Sequence, residues 1–139
     1  MREHIFRGRR IDGGDFVYGD LEHNGDVDVR IQGYVVDPET VGEFTGLEDI
    51  NGVAVYEGDL LRYMEWKDDN AVFPVVWDKD EARFCLDVTD YKDVKQPYEN
   101  KHYWPLIASH VRILKITIVG NIHNTPDMKI KEEGEVNAP

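Results

Sequence analysis

A second cysteine is missing from this chain, and so is any uninterrupted apolar run near the ~18 residues that a bilayer-spanning helix needs. Cys85 is the lone cysteine among 139 residues, so an internal disulfide is excluded. Its neighbours, Arg83, Phe84, Leu86, Asp87 and Val88, read as a strand in which the thiol fills apolar space. The opening seven residues lack the apolar run of a signal peptide. A reducing, cytoplasmic setting is the expectation, with no membrane association. Positive charge is scarce as well: 16 basic against 28 acidic side chains give a formal net charge of −12. Such a balance disfavours generic attraction to nucleic acid or anionic lipid.

Recognisable reaction centres are also lacking. His4, His23, His102, His110 and His123 show no short ligand spacing, and no second cysteine supports them as a metal set. The glycines at 8, 13 and 14 are not followed by the Gly-Lys-Ser/Thr ending of a phosphate loop. Ser109 and His110 are adjacent, which on a strand would send them to opposite faces and out of hydrogen-bond reach. Carboxylate pairs suited to glycoside hydrolysis arise in any acidic domain and select nothing here. No cofactor and no enzymatic activity are expected. An enzyme acting on a small metabolite would require a buried pocket of convergent polar groups.

What is present is a β pattern with strong turn chemistry. Apolar residues make up 41% and aromatics 11% of the chain, enough for a folded core without disulfide or metal. Residues 1–126 are expected to form a single β domain, and residues 127–139 a polar tail that frays. Residues 4–11 read as a strand ending in the turn cluster 12–15. Residues 16–21 resume the pattern, and Asn24-Gly25 marks a hairpin after which Val27, Val29 and Ile31 alternate with polar neighbours. Pro38 ends the strand through Val36, and residues 40–45 are too short and glycine-bounded for a stable helix.

Gly46 and Asn51-Gly52 bracket a compact loop ahead of a strand over 53–56, and the turn at 57–59 leads into another over 60–64. Residues 72–77 and 83–88 form a second hairpin, with Pro74 placing its strand at an edge or bulge. Residues 90–103 read as an irregular loop, and 104–109 as holding one helical turn. The β-branched run 111–119 is predicted to be a long central strand. Short strands joined at corners are how a small barrel closes.

Charge is unevenly spread. Residues 1–35 carry five basic and seven acidic side chains, 36–69 two and ten, and 70–139 nine and eleven. The middle stretch is either a solvated face or an acidic docking face, with Glu43, Glu48, Asp49, Glu57, Asp59 and the aromatic Trp66 as interaction candidates. Glu57 and Asp59 beside Gly58 also read as turn carboxylates that bond nearby amides. Arg2, Arg7, Arg9 and Arg10 make the first strand the one basic edge, the alternative site for nucleic acid. Among the aromatics, Trp77 closes an apolar run and is expected to be buried, while Tyr56, Tyr63, Tyr103 and Trp104 fit core packing or a peptide groove.

Several signals recur in an order that is hard to obtain by chance: residues 6–8, 16–19, 36–47, 51–52, 55–60, 75–77 and 119–122. In sequence and order they resemble the YopX family of phage and prophage proteins, over residues 5 to about 126. That resemblance implies a mostly β fold related to small SH3-like barrels, to which the residue pattern adds extra hairpins and at most one or two short helical turns. It implies a bacteriophage or prophage origin and no known reaction. The expected role is a non-enzymatic module that binds a host or phage protein, with mimicry of nucleic-acid charge as a special case. Self-association through exposed strand edges is compatible with the sequence.

Overall fold

The structure is a computed structural model that describes residues 5–63, 71–88 and 103–124. It is mainly β, built from curled antiparallel sheets, with one α-helix among the described residues. Contacts group into two compact units that meet in sequence at Gly46 and Leu47.

The first unit holds β1 (Phe6–Arg9), β2 (Phe16–Gly19), β3 (Leu21–Asn24), β4 (Asp28–Ile31), β5 (Tyr34–Val36) and the start of β6 (Gly42–Glu48). Strand β1 lies between β2 and β6, and β4 lies between β3 and β5. The chain end of β1 then turns to β5: the N–H of Ile11 donates to Val35 O at 3.1 Å, the N–H of Asp37 donates to Arg9 O at 2.9 Å, and Arg10 bridges Val36. One strand thus serves two sheets, which is how a short chain curls its sheets around a small core. Gly8 makes the closeness possible, because a Cβ there would sit 3.0 Å from Val36 Cβ and 3.3 Å from Ile31 Cδ1. Ile31 and Val36 are the buried apolar centre.

Turns in this unit follow their residues. The hairpin at Asn24-Gly25 forms, but its loop spans three residues, since Asn24 pairs with Asp28. Val27 therefore sits in the turn, 81% exposed, and not in the inward alternation expected of it. A second hairpin, unread in the sequence, turns at Gln32 (φ 53°) and Gly33 (φ 80°), with Ile31 opposite Tyr34. Two positive φ values match the strand twist of a two-residue hairpin loop. After Pro38–Thr40, a 3-10 turn capped by the Asp37 carboxylate on the Glu39 N–H, the chain becomes strand. Residues 42–48 are extended, running past Gly46 where a loop was expected to begin, and Gly46, at φ 89°, absorbs the irregularity inside β6.

The second unit centres on five strands in the order β11-β10-β9-β8-β12: β8 (Asp59–Tyr63), β9 (Val72–Asp78), β10 (Arg83–Asp87), β11 (Tyr103–Pro105) and β12 (Ile116–Asn121). β7 (Ala54–Tyr56) is a hydrogen-bonded neighbour of β6. Leu61, Tyr63, Phe73, Val75, Leu86 and Ile116 belong to one buried cluster. Each such side chain contributes about 1.5–3 kcal/mol relative to exposure. Tyr63, Phe73 and Trp104 meet with ring centroids 6.1 Å apart in each pairing, so these aromatics build core.

Four sequence expectations are corrected here. Pro74 lies in β9, an interior strand, opposite Leu60; it is tolerated because the β8 ladder ends at Pro74 and the β10 ladder starts at Val75. Trp77 is 42% exposed, packed edge-on against Phe84 at 4.9 Å beside the β9–β10 turn. The run 111–119 is split: α1 (Ala108–Leu114) precedes β12, with Lys115 at φ 50° closing the helix. Helical spacing lets Val111 and Leu114 both reach the core while Ile113 stays exposed, so packing overrides β propensity. The resulting β12 is an edge strand, not a central one.

The helix also begins later than the predicted turn, since Trp104 and Pro105 are in β11. The expected loop at 90–103 ends one residue too late, since Tyr103 opens β11; its other residues and the tail at 127–139 fall outside the described residues. Among those described, no helix is long and apolar enough to cross a membrane.

Candidate functional site

The acidic candidates divide by environment. Asp49 is 6% exposed, and its carboxylate accepts three backbone N–H groups: Asn51 and Val53 on Oδ1 at 2.9 Å each, and Ile118 on Oδ2 at 3.1 Å. Asp59 is buried and accepts the Tyr56 N–H at 2.7 Å, the turn role anticipated for it. Both carboxylates serve the fold and are withdrawn from any docking surface. Glu48 is exposed, and Glu43 and Glu57 are half-buried. Glu43 belongs to the first unit and Glu48 and Glu57 to the second. Trp66 lies outside the described residues.

The basic candidates are engaged locally. Strand β1 is interior to its sheet, which corrects the expected basic edge. The Arg7 and Arg9 guanidinium groups lie 5.1 and 5.2 Å from the Phe16 ring centroid, as expected for positions two apart on one strand face. Arg7 is 5% exposed. Arg10 sits 4.2 Å from the Tyr34 ring centroid and pairs with Asp12 at 2.6 Å. That hydrogen bond raises the Arg10 pKa and holds the Asp12 carboxyl below its ordinary value. Arg2 lies outside the described residues.

Sequence reasoning missed an open groove of about 620 Å³ in the first unit. Its apolar lining comes from Ile11, Val27, Val29, Val35, Val36 and Pro38. Polar lining comes from His23, Asp26 and Asp28, with no lysine or arginine among the described lining residues. The three-residue hairpin loop puts Asp26 and Val27 on the rim, and the link from Ile11 to Val35 brings the end of β1 alongside. Asp28 is held by Arg30 in a two-point contact, Nε to Oδ1 at 3.0 Å and Nη2 to Oδ2 at 3.2 Å. The hydrogen bond from Arg30 lowers the Asp28 pKa. Asp26 has no such partner among the described residues. Asn24-Gly25 was the available signal: a hairpin tip carrying a branched apolar residue next to a carboxylate exposes both.

Other chemistry is sparse. Burial pushes the Cys85 thiol up to about 12, with Asp78 adding to the effect, so the thiolate needed for nucleophilic work is disfavoured. Ser109 and His110 lie on α1, not on a strand, and consecutive positions on a helix do not face each other either. Among the described residues, no three His, Cys, Asp or Glu side chains form a group suited to a metal ion.

Comparison with known proteins places this architecture. The crystal structure of protein EF1440 from Enterococcus faecalis superposes with a TM-score of 0.54 and 18% identity, covering 92% of this chain and 99% of that one. The likeness concerns the fold. Among curated proteins, none matches. A family model described as YopX protein matches residues 14–128, a span containing both the Asn24-Gly25 hairpin and the Asp49 turn, and on that match the chain belongs to the YopX family.

Proposed function

We propose that this chain is a non-enzymatic binding module for another protein, encoded by a phage or prophage and acting in the bacterial cytoplasm. The observation that carries the reading is the first-unit groove, where branched apolar side chains stand in solvent beside carboxylates. Ile11 is 63% exposed and Val27 81%, a cost that a covering partner would remove. Glu43, Glu48 and Glu57 retain solvent contact and would add long-range attraction for a basic partner, raising its encounter rate. Family membership supports that origin, since a phage or prophage source is what the YopX resemblance implies. Curling of β1 across two sheets supports kinship with the small SH3-like barrels.

Direct binding of nucleic acid has less support. Arg7, Arg9 and Arg10 stack on rings of their own unit, and Arg10 also pairs with Asp12. An affinity-tagged full chain incubated with bacterial host lysate tests the protein-binding reading. It is expected to retain a discrete protein at low salt and lose it at high salt. Recovery of no salt-sensitive partner, or competition by DNA through a direct shift of this protein, would count against it.

A further inference from the structure

The groove of the first unit combines an apolar lining with charge of one sign. Val29, Val35 and Val36 supply apolar wall, while Ile11 and Val27 stand exposed at the mouth. Its volume falls within the ~300–1,000 Å³ range of sites that hold a small ligand or a few residues of chain. The Asp28 carboxylate is satisfied by Arg30, so among the described residues Asp26 is the lining carboxylate that still lacks a cation. The neighbouring arginines cannot supply one without giving up existing partners: Arg10 is held by Asp12 and Tyr34, and Arg7 and Arg9 by Phe16.

We propose that this groove docks an extended peptide segment in which a branched apolar residue is flanked by lysine or arginine. The proposal rests on the protein-binding reading and names its partner's chemistry. The apolar residue would cover Val27 and Ile11, and the flanking cation would pair with Asp26. Phosphate-bearing ligands are disfavoured by the same carboxylates, and a bare polyamine would leave the valines wet.

Titration of the 15N-labelled full chain with an acetylated, amidated peptide of alternating lysine and valine tests it. Saturable amide shifts are expected at residues 25–29 and 35–37. Binding is expected to be at least about tenfold weaker for the glutamate–valine peptide and for the Asp26→Lys and Val27→Asp variants, a loss of one ion pair or one apolar contact. Both substituted positions are exposed, so the variants should fold, and the dispersion of their own spectra reports this directly.

Absence of saturable shifts, shifts confined to other residues, equal binding of the acidic peptide, or spermidine reproducing the pattern would each overturn the proposal. If the peptide fails while the lysate partner is still retained, the groove assignment falls alone. If the lysate partner is absent too, the protein-binding reading falls with it.

Discussion

The Asp49 carboxylate accepts the backbone N–H of Ile118 at 3.1 Å, joining positions 69 apart in sequence across the edge of the five-stranded sheet. Strand β12 has an irregular register with β8 between Ile118 and Gly120, and Asp49 takes up an amide at that irregularity while its other oxygen closes the turn to Val53. Replacing Asp49 with alanine leaves three amides without their acceptor, and about 2–4 kcal/mol of unfolding free energy should be lost. Urea denaturation measures the loss. Hydrogen exchange should show the Ile118 amide, protected in the parent, opening first in Asp49→Ala; unchanged protection would show that Asp49 is dispensable to the edge.

Gly8 permits β1 to approach Val36 so closely that a Cβ there would meet Val36 Cβ and Cγ2 at 3.0 Å. Gly8→Ala should destabilise the chain by about 1–3 kcal/mol through overpacking. In a Val36→Ala background the added penalty should shrink, since one of the two Val36 atoms at 3.0 Å, Cγ2, is gone while Cβ stays. A double-mutant cycle by chemical denaturation reads both effects, and simple additivity would contradict the contact.

Gln32 occupies the left-handed region at the first central position of its hairpin turn, where asparagine is better tolerated. Gln32→Asn should raise the melting temperature, by up to about 1 kcal/mol of stability. Gly33→Ala should lower it. The opposite signs, measured on the same day by calorimetry, distinguish turn geometry from loss of side-chain packing.

Cys85 should be inert in the native protein. With the thiol pushed up to about 12, the thiolate at pH 8 is of order one molecule in 10,000. A chromogenic disulfide reagent should label it stoichiometrically in urea and negligibly without. The pKa is raised on folding, so the folded state holds this proton more tightly. The stability tied to it is intact below the ordinary value of 9.0 and is lost as pH rises from there toward about 12. The chain should lose stability over that alkaline range, and Cys85→Val should flatten the slope. Rapid native labelling at pH 8 would contradict the burial.

Much of the β framework was legible because local chemistry and tertiary structure agree. Asn24-Gly25, Gly58 and the Asp78 turn each punctuate strands as their backbone preferences dictate, and Asp78 Oδ1 accepts the Asp80 N–H at 3.1 Å as turn aspartates do. Where they conflict, the sequence misleads. Val111 and Leu114 sit in a β-branched run, yet one short helix lets both reach the core. Trp77 extends an apolar series but falls beyond the last core position of β9.

Positions of charge were readable and their employment was not. Asp49 and Asp59 look like their exposed neighbours until the amides they hold are placed in space. The groove was hidden for a similar reason: Ile11, Val27 and Pro38 are scattered along the chain, and only the return of β1 to β5 brings them together.

Site-specific photocrosslinking measures the central claim most directly. A benzophenone amino acid is placed at Val27, on the groove rim, and separately at Val53, which is also exposed but lies in the second unit. Irradiated in host lysate, the full chain carrying the probe at 27 should give a discrete protein adduct that fades at high salt and is competed by the lysine–valine peptide. No adduct at 27, or an equal and uncompeted adduct from 53, would contradict it.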